Sequence, residues 1–323
     1  MTTPNQSTAN LIGVGISGAM MRAALLTGDG EVISRREATI ERDAIAQQIA
    51  RAVLELRDES PANIAAIGVG VPGLVDPTTE RVFISAGLPS IVRGDLHAEL
   101  LQATGIEHVT LENDANAAAY GEYKVGAGRG SKDIFYITIG AGIGGAIILN
   151  GKLWHGASGF AGEFGHITIN SEDGIECVCG NTGCLETVAS APNIVRRTHE
   201  RLYRDGTSSL SRLALNREFT AADIAREATG GDDFALMMIE RTGRYIGAAI
   251  ANVINLLNIE RIVLGGGVME EAGNLILDPI LREAGQRSFQ PCFEATQIVI
   301  SQLATDAVPT GAAMLARDAA QSA

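Results

Sequence analysis

The chain has 323 residues, 46 % of them hydrophobic, with 38 glycines and a formal net charge of −13. That length suffices for two domains, each with its own core. The acidic balance, with no run of Lys and Arg, argues against non-specific nucleic-acid binding, which needs a basic surface.

The N-terminal segment MTTPNQSTAN is polar and lacks the charged flank and apolar core of a secretory signal. The longest uncharged stretch, residues 134–151, is broken by Gly140, Gly142, Gly144 and Gly145. A strand, a glycine loop and a second strand explain it better than a membrane helix. A cytoplasmic protein is expected, with no nucleic-acid or membrane partner. Three of the four cysteines crowd into residues 177–184, and in a reducing compartment such clustering suggests metal more than disulfides.

In chain order, LIGVGI (residues 11–16) reads as a short apolar strand. A glycine loop and MMRAALL follow, then a GDG turn and EVISRREATI, the opening of a meandering sheet. AIAQQIARAVLEL from Ala44 has helical spacing, IAAIGVGVPG is a buried-type strand ending in a glycine turn, and HVTLEN is another strand. DANAAAYGEY starts a helix, with Asp114 at or near its cap. Then DIFYITIGAGIGGAIILNGKL repeats the opening pattern of strand, glycine loop, strand and turn. Such a duplication predicts an α/β protein of two similar domains facing each other across a cleft; two unrelated glycine hairpins are the plainer alternative. The second half adds helices from Pro192 and Thr220, a long helix over about 232–257, the strand RIVLGGG, a helix near 275–286, the strand TQIVISQL and a last helix, TGAAMLARDAA.

Glycine loops bring backbone N–H groups close to phosphate oxygens. Three occur, at residues 13–18, 140–145 and 265–267, and all three can also be tight turns. Asn113 and Asp114 follow a strand directly. A carboxylate there suits a general base toward a hydroxyl, and equally well it can cap the next helix. Cys177, Cys179 and Cys184, with His166 as the nearest upstream imidazole, make a closed tetrahedral zinc set of structural type; unliganded buried cysteines are the alternative. Such a site would pin the loop carrying Glu163 and Glu186, whose carboxylates could bind hydroxyls of a polyol. His97, His108, His155 and His199 stand alone in the sequence and read as structural or surface side chains, and Cys292 as a buried apolar one.

EFGH followed by CVCGNTGCLE resembles the C-x-C-G-x-x-G-C-x-E signature of the ROK family of bacterial sugar kinases and sugar-responsive repressors. ENDANAAAYGE, GAGIGGAIILNGKL, LGGGV and GAAMLA fall in that family's order, and the likeness spans the chain from Leu11. The resemblance implies the actin-like ATPase fold, two ribonuclease-H-like domains over residues 1–119 and 120–307, with the final helix, 308–323, returning to the first. It implies Asp114 as the base that deprotonates a sugar hydroxyl, with Asn113, Glu163, His166, Glu186 and Gly73 holding the sugar. His166 would serve the zinc through one ring nitrogen and face the sugar with the other. ATP, with Mg²⁺, would lie against Gly15, Ser17 and Gly18 of the first loop and Gly140, Ala141, Gly142 and Gly144 of the second, with Gly265, Gly266 and Gly267 by the adenosine. A homodimer is implied as well.

The departures are specific. The family's first loop reads D-x-G-G-T-K, whereas this chain has Gly15, Ile16, Ser17, Gly18, Ala19 and Met20. The family's second-loop Thr is Ala141, and the Asn before its Leu-Pro pair is Gly87. The leading expectation is ATP-dependent phosphorylation of a hexose-like sugar. The alternative is a pseudokinase that binds a sugar or sugar phosphate, or one that catalyses another sugar reaction. The repressor branch is not expected, because the first strand begins by Leu11.

Overall fold

The computed structural model of the chain describes residues 9–60, 62–85, 87–203 and 206–322. It divides into two units. One takes residues up to 132, 146–162 and from 305 onward; the other takes 133–145 and 163–304.

The first unit opens with β1 (Asn10–Ser17), β2 (Met20–Leu26) and β3 (Val32–Thr39), followed by α1 (Ile45–Glu59) and β4 (Ile64–Val71). A small hairpin of β5 (Leu74–Asp76) and β6 (Arg81–Ile84) comes next, then α2 (Pro89–Arg93), α3 (Leu96–Thr104), β7 (Val109–Asn113) and α4 (Asp114–Val125). The sheet order is β3-β2-β1-β4-β7. β1 runs antiparallel to β2 and parallel to β4, and β4 runs parallel to β7. β1 is buried along its whole length except Ser17, as expected of a central strand covered on both faces. Ile12, Val14 and Ile16 share one hydrophobic core with Ile49, Val53 and Leu56 of α1.

β8 (Ile134–Ile139), β9 (Ile143–Leu149) and β10 (Lys152–Leu153) follow. After a long loop come α5 (Glu186–Ala189), α6 (Ala191–Leu202), α7 (Ser209–Ala214), α8 (Ala221–Thr229) and α9 (Asp233–Leu257). β11 (Arg261–Gly265), α10 (Gly267–Ala272), α11 (Asn274–Arg287), α12 (Gln290–Ala295) and β12 (Gln297–Ile300) complete this part. The second sheet has the order β10-β9-β8-β11-β12, the first sheet's pattern repeated, with β9–β10 antiparallel and β8, β11 and β12 parallel. α9 starts where Asp232 accepts a hydrogen bond from the Ala235 N–H, and it stops at Asn258 in the left-handed region, φ 46°. Among the described residues no helix is long and apolar enough to cross a membrane.

The last helix, α13 (Ala307–Ser322), belongs to the first unit. It lies directly on the first sheet, on the face where β1 and β4 carry glycine. A Cβ on Gly13 would fall 1.8 Å from the Pro309 carbonyl oxygen, and one on Gly68 would fall 1.8 Å from that of Ala312.

Candidate functional site

In the first unit, the junction of β7 and α4 holds the carboxylate singled out by the sequence. Asn113, not Asp114, is the N-cap: its Oδ1 accepts the Asn116 N–H at 3.0 Å. Asn has the short acceptor that this position favours. Asp114 is the first helical residue, half-buried. Its Oδ1 accepts from the Ala115 N–H at 3.0 Å and from Asn113 Nδ2 at 3.2 Å. Asn113 Nδ2 also donates to the Gly73 carbonyl at 2.9 Å, so the three residues are joined. Gly73 has φ 109°, a turn that only glycine makes without strain.

Two histidines that stand alone in the sequence are paired with glutamates in the fold. His155 Nε2 lies 2.8 Å from Glu112, and His97 Nε2 lies 2.9 Å from Glu80. Glu112 is buried beneath the first turn of α4. Its hydrogen bond holds the His155 imidazole above the usual histidine range, with burial opposing.

In the second unit, His166, Cys177, Cys179 and Cys184 come together, their ligand atoms all within 4.8 Å of one another. Cys179 and Cys184 sulfurs are 3.7 Å apart, and Cys177 Sγ is 3.5 Å from His166 Nδ1. Tetrahedral Zn–S bonds of about 2.3 Å put two sulfurs about 3.8 Å apart, so the donor set and its spacing fit zinc. Burial pushes the Cys184 thiol up to about 12, a proton that a dication displaces. The loop is closed by isolated bridges, Thr168 to Cys184 and Glu176 to Thr182. With Nδ1 in the cluster, His166 Nε2 points toward Glu163, 3.8 Å away. Burial raises the Glu163 carboxyl above its usual range; His166 opposes this and Glu186 adds to it. Glu186 Oε2 accepts the Ile143 N–H at 2.8 Å, so this carboxylate also braces the second glycine loop. Cys292 is half-buried and apart from the cluster.

A cleft of about 270 Å³ in the second unit is lined by Gly140, Ala141, Ala191, Thr220, Ala221, Ala222, Gly267, Val268 and Glu271. Of the third glycine group only Gly267 lines it. Gly265 and Gly266 serve packing on β8: a Cβ on them would meet the Tyr136 hydroxyl at 2.4 Å and the Ile139 carbonyl at 2.5 Å. Gly144 sits half-buried within β9. Sequence reading missed Ala191, Thr220, Ala221, Ala222 and Glu271. The available signal was the T-A-A-D capping box, in which Thr220 and Asp223 bond each other's backbone N–H groups at the start of α8.

In the first loop, Gly15 lies inside β1, paired with Arg22 on one side and Gly70 on the other. A Cβ there would lie 2.7 Å from Val308 Cγ1. Its backbone is paired in the sheet on both sides. The exposed turn is Ser17, Gly18 and Ala19, with Gly18 at φ 59°. Gly87 is exposed and open.

The ROK family matches the chain over residues 11–319. The chain is 37 % identical over 317 residues to the glucokinase of Halalkalibacterium halodurans, covering 95 % of this chain and 94 % of that one. It is 30 % identical over 317 residues to the xylose repressor of Caldicellulosiruptor bescii, covering 95 % of this chain and 78 % of that one. Among solved structures, a ROK family glucokinase from Streptomyces griseus in complex with glucose and AMPPNP superposes with a TM-score of 0.85 at 33 % identity. That match covers 96 % of this chain and 100 % of the other.

Proposed function

The chain belongs to the ROK family, and on that premise we propose that it is a sugar kinase that transfers the γ-phosphoryl group of ATP to a hydroxyl of glucose or a similar hexose. Its fold is the actin-like ATPase fold. The observation that carries the reading is the Asp114 carboxylate at the first residue of α4, oriented by Asn113 and the Ala115 N–H. Asp114 accepts the hydroxyl proton as the sugar oxygen bonds to phosphorus and the bond from phosphorus to the ADP oxygen breaks. Asn113, Gly73, Glu163, His166 and Glu186 hold the sugar.

The second-unit cleft suits the nucleotide. Gly140, Ala141 and Gly267 offer backbone along it, and Thr220, Ala221 and Ala222 form the start of α8, whose N–H groups favour anions. Mg²⁺ accompanies the ATP, and the exposed turn Ser17–Gly18–Ala19 offers the first loop's backbone donors. Zinc held by His166, Cys177, Cys179 and Cys184 is structural, fixing the loop that carries Glu163 and Glu186. We place the protein in the cytoplasm as a homodimer.

A second reading, a sugar-binding sensor without turnover, is favoured by one observation: the Val308 side chain fills the space beside Gly15 that the family's aspartate would need. Titration of the zinc-loaded protein with Mg-ATP and a hexose panel separates the two. Binding of both, with phosphorylation lost in D114N, supports the kinase. Sugar binding with no nucleotide heat favours the sensor.

A further inference from the structure

Behind the first turn of α4 lies a group of ionisable side chains with no part in the chemistry above. Glu112, at the end of β7, is 6 % exposed. Its Oε1 accepts the Asn113 backbone N–H at 2.9 Å and Asn116 Nδ2 at 3.0 Å. Its Oε2 meets His155 Nε2 at 2.8 Å. Glu112 therefore grips both the N-cap residue and the third residue of α4, and Asp114 lies between them. Beyond Glu112, Glu80 pairs with His97, whose ring nitrogen also contacts the Val109 carbonyl at 3.1 Å. Burial raises the Glu80 carboxyl; His97 lowers it, and the nearby Glu112 charge adds to the rise.

We propose that His155 is a positioning residue for Asp114: through Glu112 it holds the first turn of α4 in the orientation that aims the base at the sugar hydroxyl. This rests on the reading of Asp114 as that base. Removing the ring leaves a buried carboxylate short of a donor. Glu112 can recover solvation only by shifting, and the two α4 contacts shift with it. A displacement of about 1 Å at a reacting group costs on the order of 10²-fold in rate. Of the neighbouring charged groups, Glu80 lies close enough for its charge to be felt by Glu112, and His97 pairs with Glu80. Because Glu112 raises the affinity of His155 for its proton, the charged link is complete below about pH 6.5. It weakens as the pH rises through the elevated value.

The test compares wild type, H155A, H155Q and E112Q with glucose and ATP across the pH range. H155A is expected to lose on the order of 10²-fold in kcat, with the KM for ATP unchanged and faster hydrogen exchange at the amides of residues 113–116. H155Q, which keeps a neutral donor, is expected to recover most of kcat and to lack the alkaline decline of wild type. Wild-type kcat in H155A, or a wild-type pH profile in H155Q, would overturn the proposal. If H155A does not fold, the H155Q profile decides. If wild type transfers no phosphate, the kinase reading fails, and the link is judged by exchange and by the His155 ring titration. That titration should fall toward about 6.5 in E112Q; an unmoved titration overturns the link.

Discussion

Replacing Gly15 by Asp reinstates the carboxylate of the family's first loop, and the structure sets what it meets. The new Cβ alone would lie 2.7 Å from Val308 Cγ1, 2.8 Å from Val308 Cβ and 3.1 Å from Pro309 Cδ. Overpacking of this kind costs about 1–3 kcal/mol. Burying an unpaired polar group beside it adds about 1–3 kcal/mol even with the acid protonated. The sum, about 2–6 kcal/mol, is a large share of the roughly 5–15 kcal/mol that stabilises an ordinary domain. G15D is therefore expected to unfold at markedly lower urea concentration, followed by circular dichroism, and to gain no ATP turnover. V308A keeps the offending Cβ, so V308G is the matching partner. In the double variant the clash with Val308 disappears and only the tight contact with Pro309 Cδ at 3.1 Å is left, so the coupling between the two sites should be about 0.5–3 kcal/mol in favour of the pair. Turnover should rise in G15D/V308G above that of G15D. The reasoning is refuted if G15D is as stable as wild type, or if V308G stabilises G15D no more than it alters wild type.

Three further outcomes are expected. C184S should lose stoichiometric zinc by elemental analysis and lower the melting temperature; unchanged metal content would show that the cluster is not the ligand set. T220A should cost about 1 kcal/mol of stability through its cap and weaken nucleotide binding measured by calorimetry, and unaltered affinity would remove α8 from the site. Asp223, buried and hydrogen-bonded by Arg217, has its carboxyl held well below the usual range. Its stabilising effect is full above about pH 4 and is lost as pH falls through the lowered value. The stability gap between wild type and D223N should close in acid, and a gap independent of pH would contradict the assignment.

What could be read from sequence was local. MMRAALL is β2 and the periodic stretch after Asp232 is α9, because alternation, helical spacing and an Asp cap are written within each element. The His/Cys cluster was legible for the same reason: three of its members lie within eight residues, and the fourth shortly before them. The repeat of strand, loop and strand was legible too, and the two sheets share one order. Contacts between distant residues were not. Nothing near Gly15 announces that Val308, almost 300 residues on, will lie against it, so its packing on α13 could not be read. His155 and Glu112 are 43 apart and carry no common motif. The β5–β6 hairpin escaped because its strands are three and four residues long, too short to show a period.

The central claim is that Asp114 activates a hexose hydroxyl toward ATP even though Gly15 supplies no carboxylate. ³¹P NMR of the zinc-loaded protein with Mg-ATP and glucose tests it most directly. The account expects a sugar phosphomonoester resonance and ADP growing in equal amounts, both absent with D114N. ATP left intact, or inorganic phosphate without a sugar ester, would contradict it.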